Sequence, residues 1–161
     1  MSSILVVYYS RTGGTRRIAE AIAARVPVDI EPIQDGGRRS GIRGYLRSLL
    51  EAMQNRVIRI SPRSKDPSDY DLIILGTPVW AHNMCSPMRA YITAQQQQFR
   101  KIAVFCTQGG SGGSKAADKV AELCGRRPAA ILVLNEDEIE KNTFAAKLDG
   151  FIQSLSQAKA A

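Results

Sequence analysis

The run Ser10-Arg11-Thr12-Gly13-Gly14-Thr15 places two glycines among three hydroxyls, a composition suited to holding an anion. Ser10, Thr12 and Thr15 supply hydroxyl donors, and Gly13 and Gly14 let the backbone close around a group without a Cβ in the way. An apolar run of buried-strand length, Ile4-Leu5-Val6-Val7-Tyr8-Tyr9, precedes it. Ile18 and Ile22 follow, one helical turn apart. A loop between a strand's C-terminal end and a helix's N-terminus exposes backbone N–H groups at the positive end of the helix dipole, where a phosphate binds well. The spacing excludes the Gly-Lys-Ser/Thr ending of a P-loop and the Gly-x-Gly-x-x-Gly dinucleotide fingerprint. Taken alone, the six residues fit a plain helix start equally well, with Thr12 or Thr15 as the cap.

Two further stretches differ from ordinary connectors. Thr77-Pro78-Val79-Trp80-Ala81-His82-Asn83-Met84-Cys85 contains the chain's one tryptophan and one histidine. An exposed indole gives a planar ring a face to stack on, although a lone tryptophan more often packs in a core. Histidine is the residue type suited to holding or passing a proton near neutral pH, which makes His82 a candidate; a solvent-facing loop histidine is the simpler reading. Thr107-Gln108-Gly109-Gly110-Ser111-Gly112-Gly113-Ser114 has four glycines, which admit a flat ligand close to the backbone or else make a flexible tip. The three cysteines lack the spacing of a zinc or dithiol motif and cannot build a disulfide framework. Cys106 and Cys124 end apolar segments as core residues. Cys85 lies within a candidate site and is the thiol to watch for redox chemistry, with packing as its simpler role.

The elements that must position these stretches repeat as strand, loop and helix. An edge strand is expected over 26–33, confined there by Pro27 and Pro32, then a turn at Asp35-Gly36-Gly37. Ile42, Tyr45, Leu46, Leu49, Leu50 and Met53 keep helical spacing over 42–53. A Pro-punctuated surface connection at 61–68 leads to a buried strand at 72–75, and a helix opens with Ser86 as cap and Pro87 at its first position. The glutamines at 95–98 read as its solvated end. A strand at 101–106, a helix through Ala116, Val120, Leu123 and Cys124, a strand at 129–134 and a closing helix over 142–155 complete the chain. Phe144, Leu148, Phe151, Ile152 and Leu155 point inward from that helix. Strands apolar on both faces imply a parallel sheet covered on each side, with ligands at the strands' C-terminal ends beside the switch point. The stretches at 10–15, 77–85 and 107–114 then converge at one end.

Three such loops in this order resemble the flavodoxin-like FMN-binding family, over essentially the whole chain. The resemblance rests on Ser10-x-Thr12-Gly13-x-Thr15, on Gly76-Thr77-Pro78-Val79-Trp80 and on the Gly-rich loop after the fourth strand. It implies a single three-layer αβα domain over residues 1–161, with a five-stranded parallel sheet in the order 2-1-3-4-5. It also implies that Ser10, Arg11, Thr12, Gly13, Gly14 and Thr15 hold the FMN phosphate. Thr77, Pro78, Val79 and Trp80 would then flank the ring, with Trp80 against one face, and Ala81, His82, Asn83 and Met84 would reach its N5/O4 edge. Thr107, Gln108, Gly109, Gly110, Ser111, Gly112 and Gly113 would contact its pyrimidine edge.

Electron-carrying flavodoxins usually place an aromatic in the loop after the fourth strand and are acidic. Here 108–114 has no aromatic, and the net charge is +7 over 161 residues. That favours an oxidoreductase taking hydride from NAD(P)H and passing it to a quinone or similar small-molecule acceptor, with His82 as a catalytic proton donor. The alternative is a carrier serving a separate reductase as redox partner protein. Eight cations against two acids put a local +6 between Asp35 and Lys65, a surface for a nicotinamide nucleotide's phosphates or, through the helix at 42–53, for a homodimer. Nucleic-acid binding is disfavoured because the arginines are not interleaved with aromatics. No apolar run reaches the ~20 residues of a membrane span and no signal peptide opens the chain, so a cytoplasmic location is expected.

Overall fold

The computed structural model describes residues 3–34 and 65–160. Strand β1 (Ile4–Tyr8) is buried along its whole length, because both of its faces are covered. Leu5 and Val7 enter one hydrophobic cluster, while Ile4, Val6 and Tyr8 enter the other. This period-2 division between two apolar layers is the reason the strand reads as a continuous apolar run.

Beside β1 lie β2 (Asp29–Pro32) and β3 (Leu72–Trp80), both parallel to it. A two-residue strand, β4 (Asn83–Met84), pairs antiparallel with the end of β3. Then β5 (Lys101–Gln108) and β6 (Ile131–Asn135) continue the parallel sheet. The order β2-β1-β3-β5-β6 is the expected 2-1-3-4-5 arrangement, with β4 added at its rim. Helix α1 (Gly14–Arg25) covers one face through Ile18, Ala19 and Ile22. Helices α2 (Ser86–Gln95) and α3 (Gly113–Cys124) cover the other through Met88, Tyr91, Ile92, Ala116 and Val120. A short α4 (Glu136–Glu140) and α5 (Ala145–Ala160) return to the α1 face, bringing Ile139, Phe144, Leu148, Phe151 and Leu155 into its core.

Several boundaries differ from those read in the sequence. β3 does not stop at Leu75; it runs on to Trp80. Gly76 and Thr77 pair with Phe105 and Cys106, and the Phe105 ring occupies the space a Cβ on Gly76 would need. The glycine thus marks a close approach inside a strand rather than its end. β5 likewise runs to Gln108, and α3 begins at Gly113, which leaves 109–112 as the glycine-rich turn. Cys85, not Ser86, takes the cap position of α2, shifting Pro87 to the second helical residue. The closing helix expected over 142–155 begins at Ala145 and runs to Ala160; the short α4 before it was not expected, and between the two Asn142 adopts φ 58°. Ile152 is half-buried. The turn at Asp35-Gly36-Gly37, the helix at 42–53 and all of the arginine-rich segment except Lys65 lie outside the described residues. Among the described residues, no helix is long and apolar enough to cross a membrane, and no group of three His, Cys, Asp or Glu could hold a metal ion.

Candidate functional site

The three stretches do converge, at the C-terminal ends of β1, β3 and β5. Gly13 sits at the cap position of α1 with φ 103°, a left-handed conformation that glycine adopts without penalty. No side chain caps this helix, so neither Thr12 nor Thr15 is its N-cap, and no acidic residue lies in its first turn. Ser10 Oγ accepts a hydrogen bond from the Gly13 N–H at 3.1 Å, which folds the loop back on itself and leaves the serine O–H as a donor. Thr12 and Gly13 are exposed, and the space where a Cβ on Gly13 would project holds no atom within 4 Å. The first turn of α1 therefore presents its N–H groups and positive dipole end to open space, which suits a phosphate.

Thr15 makes a contact between loops that its sequence position does not show. Its side chain is buried, and its hydroxyl shares a 2.8 Å hydrogen bond with that of Thr107. It joins the first loop to the third.

The second stretch is a β-hairpin. Trp80 pairs with Asn83 and Val79 with Met84, so Ala81-His82 forms a two-residue turn. Both turn residues have positive φ, 51° and 61°, as a type I′ turn requires, although such turns usually draw on Asn and Gly. His82 is exposed at the tip. Behind the turn, Thr77 is fully buried; its O–H donates to the Pro78 carbonyl at 2.8 Å and its Oγ1 accepts from the Cys85 N–H at 3.0 Å. Asn83, also buried, accepts at Oδ1 from the Met84 N–H (2.8 Å) and from Arg89 Nη2 (2.9 Å).

Trp80 is buried. It is 7% exposed, and Tyr9 meets it edge-on with ring centroids 5.7 Å apart and planes at 87°. Such a T-shaped pair is a favoured core contact. The indole packs on Tyr9 at the base of the hairpin.

In the third stretch Gln108 bridges two elements. Its Nε2 donates to Asn135 Oδ1 and its Oε1 accepts from the Gly113 N–H, each at 2.7 Å. Its side chain thus holds the start of α3 against the end of β6. Gly109, Gly110 and Ser111 are exposed. Gly112, at φ 98°, lies against His82: a Cβ there would come within 2.9 Å of the His82 Cα. The glycine is required both by its dihedral and by that contact. Val79, Pro78 and Ala81 are half-buried and Met84 is fully buried, so the hairpin offers a ligand mainly its backbone and its tip.

The thiols are core residues, all three free and buried. Burial pushes the Cys106 thiol up to about 12, with nearby Cys85 adding to the rise, and burial also pushes Cys124 up to about 12. Neither is a thiolate near neutral pH. Cys85 has Sγ 3.3 Å from the Thr77 hydroxyl and no exposure, which makes it a packing residue of the hairpin's base.

Residues outside the three stretches complete the site. Tyr9, Arg89 and Asn135 each hold one of its walls. Arg89 carried a signal, a cation placed between the inward-facing Met88 and Tyr91.

A parallel αβα sheet with an uncapped helix terminus open to solvent at the β1/β3 switch point is the class of architecture in which ligands bind at the strands' C-terminal ends. A family model described as flavodoxin matches residues 3–144, and the chain belongs to that family. An NAD(P)H dehydrogenase (quinone) of Paracoccus denitrificans is 27% identical over 132 residues, which span 71% of this chain and 58% of the relative. One of the same description from Archaeoglobus fulgidus is 27% identical over 145 residues, 76% of this chain and 70% of that relative. The chain thus spans little more than half the length of the Paracoccus protein. Among solved structures, a flavoprotein from Lactobacillus acidophilus in complex with FMN superposes with a TM-score of 0.73 at 20% identity, covering 88% of this chain and 98% of that one. A flavodoxin from Streptococcus pneumoniae gives 0.59 at 16% identity, covering 98% and 99%. These likenesses establish the flavodoxin-like fold.

Proposed function

We propose that this chain binds FMN across the three convergent loops and acts as an oxidoreductase passing electrons from NAD(P)H to a quinone or similar acceptor. The observation that carries the reading is the uncapped N-terminus of α1 at Gly13, open to solvent beside the hairpin and tied to the third loop. The donors there fit a phosphate monoester: first-turn N–H groups, with the hydroxyls of Ser10 and Thr12 beside them. When bound, FMN supplies the redox chemistry, accepting electrons from a donor and releasing them to an acceptor.

The chain's own residues bind and orient. The Ala81–His82 turn offers rigid backbone groups to the ring's edge, and 109–112 lies beside the turn, with Gly112 against His82. Trp80 and Tyr9 support the hairpin beneath. His82, exposed on the turn with its backbone against Gly112, is placed to hold a proton at the ligand's edge. The names of the two quinone dehydrogenase relatives support an enzyme over a carrier.

The test is a titration of purified protein with FMN and with riboflavin, then NADPH or NADH without oxygen, then a quinone. FMN should bind at least about tenfold more tightly than riboflavin, which lacks the phosphate that charge-assisted hydrogen bonds would hold. Its visible absorption should bleach with NAD(P)H and return with quinone. Bound FMN that ignores both nicotinamides would identify a carrier served by a separate reductase. No binding of FMN would end the reading.

A further inference from the structure

The Ala81–His82 turn holds both of its residues in a conformation that side chains other than glycine rarely adopt. Something around it must over-determine that geometry. Three contacts do so: the Trp80–Asn83 pairing, the packing of Gly112 on His82, and the hydrogen bond from Arg89 to Asn83. The third differs in coming from a separate, rigid element. Arg89 is the fourth residue of α2, a helix anchored at its start by Pro87 and by the Cys85 N–H on Thr77. Its Nη2 reaches Asn83 Oδ1 at 2.9 Å, the oxygen that also accepts the Met84 N–H. Asn83 is 6% exposed and Arg89 is half-buried, with burial lowering the guanidinium pKa from its ordinary value. A charge-assisted bond shielded from water in this way is strong and directional.

We propose that Arg89 is a positioning residue for the site: its hydrogen bond to Asn83 fixes the left-handed Ala81–His82 turn, and with it the backbone groups the turn presents to bound FMN. The second half rests on the FMN reading above; the first half does not. Hydrogen bonds and charge at a flavin's edge set its reduction potential. Arg89 therefore acts on the potential through Asn83 and the turn, as well as by its charge.

The experiment compares wild type with Arg89→Met, Arg89→Lys, Asn83→Ala and the Arg89→Met/Asn83→Ala double variant. Amide hydrogen exchange on the FMN-free protein reads the turn, and dye-equilibrated redox titration of the FMN-loaded protein reads the potential. Arg89→Met should speed exchange at Asn83 and Met84 by about tenfold or more, the scale of losing a hydrogen bond to a charged group. Val104 and Phe105 in β5 should be unchanged. The potential should become more negative, and Arg89→Lys should recover much of both effects. Asn83→Ala should reproduce the exchange effect, with little further change in the double variant. Should Arg89→Met fail to fold, Arg89→Lys and Asn83→Ala still decide, through intermediate and full loss of protection respectively. Unchanged exchange at the turn would overturn the proposal. So would a potential restored by lysine while exchange stays fast, which would leave only a charge effect. Failure of wild type to bind FMN would sink the functional reading, while the exchange comparison would still test the hold of Arg89 on the turn.

Discussion

The hydroxyls of Thr15 and Thr107 meet at 2.8 Å inside the protein, joining residues 92 positions apart. Each is the other's partner in a place water does not reach, so the pair tolerates joint replacement better than single replacement. Thr107→Val should cost about 1–3 kcal/mol, because it strands a buried hydroxyl. Thr15→Val/Thr107→Val should cost less than the sum of the single variants. Urea unfolding of the four proteins gives the coupling directly. Additive losses would mean that the two hydroxyls are satisfied independently.

Gly112 and Gly110 lie in the same loop but should respond differently to alanine. At Gly112 the backbone is left-handed and the added Cβ would press on the His82 backbone. Gly112→Ala should therefore destabilise by at least about 1–2 kcal/mol and displace the hairpin tip, weakening FMN binding more than stability alone accounts for. At Gly110 nothing lies within 4 Å of the added atom, and Gly110→Ala should be near neutral in both measurements. Equal effects at the two positions would show that the loop does not hold His82.

The contrast between these glycines marks how far the sequence could be read. Apolar runs such as Ile4 to Tyr8 and Leu72 to Leu75 announce buried parallel strands, and loops between them announce a site at one end. What stayed hidden depends on contacts across the sheet. Gly76 looked like a strand's end because nothing local reports that the Phe105 ring fills its side-chain space. Ala81 and His82 carry no turn signature, since their dihedrals are enforced from outside by Asn83, Arg89 and Gly112. The packing of Trp80 on Tyr9 has no mark in the sequence that ties the two together. The bond between Thr15 and Thr107 was hidden because the two are remote in sequence.

The start of α4 yields a pH prediction. Glu138 takes the Lys147 Nζ at 2.6 Å and the Asn135 N–H at 2.9 Å. The lysine's hydrogen bond first, then the Asn135 N–H, holds the Glu138 pKa below its ordinary value. A carboxylate whose folded pKa is depressed contributes stability above its unfolded pKa, about 4.3, and loses it as pH falls through the folded value. Wild type should thus exceed Glu138→Gln by under about 1 kcal/mol at pH 7, as solvent screens this exposed pair. The gap should close below the usual carboxylate range. A difference that persists undiminished at low pH would assign it to something other than the charge. Since Asn135 also accepts from Gln108, the same variant reports on the support of the third loop.

Trp80 separates support from stacking. It is the chain's one tryptophan, so its emission reports on this spot alone. Buried against Tyr9, it should emit as a shielded indole and shift to the red on unfolding. If its work is to hold the hairpin, Trp80→Phe should keep an apolar, edge-accepting ring and bind FMN within a few-fold of wild type. Trp80→Ala should instead lose about 3–5 kcal/mol of stability through the cavity it leaves, and bind FMN poorly as the hairpin loosens. An opposite pattern, in which Trp80→Phe folds with unchanged stability yet binds FMN more than about tenfold worse, would require the indole itself as the ring's contact, since that loss exceeds the ~1 kcal/mol typical of an aromatic pair. FMN binding would then have to turn Trp80 out from Tyr9, and Tyr9→Leu would ease that step and tighten binding. Under the supporting role, Tyr9→Leu removes a prop from the hairpin and weakens binding. The sign of that one change in affinity therefore distinguishes the two roles.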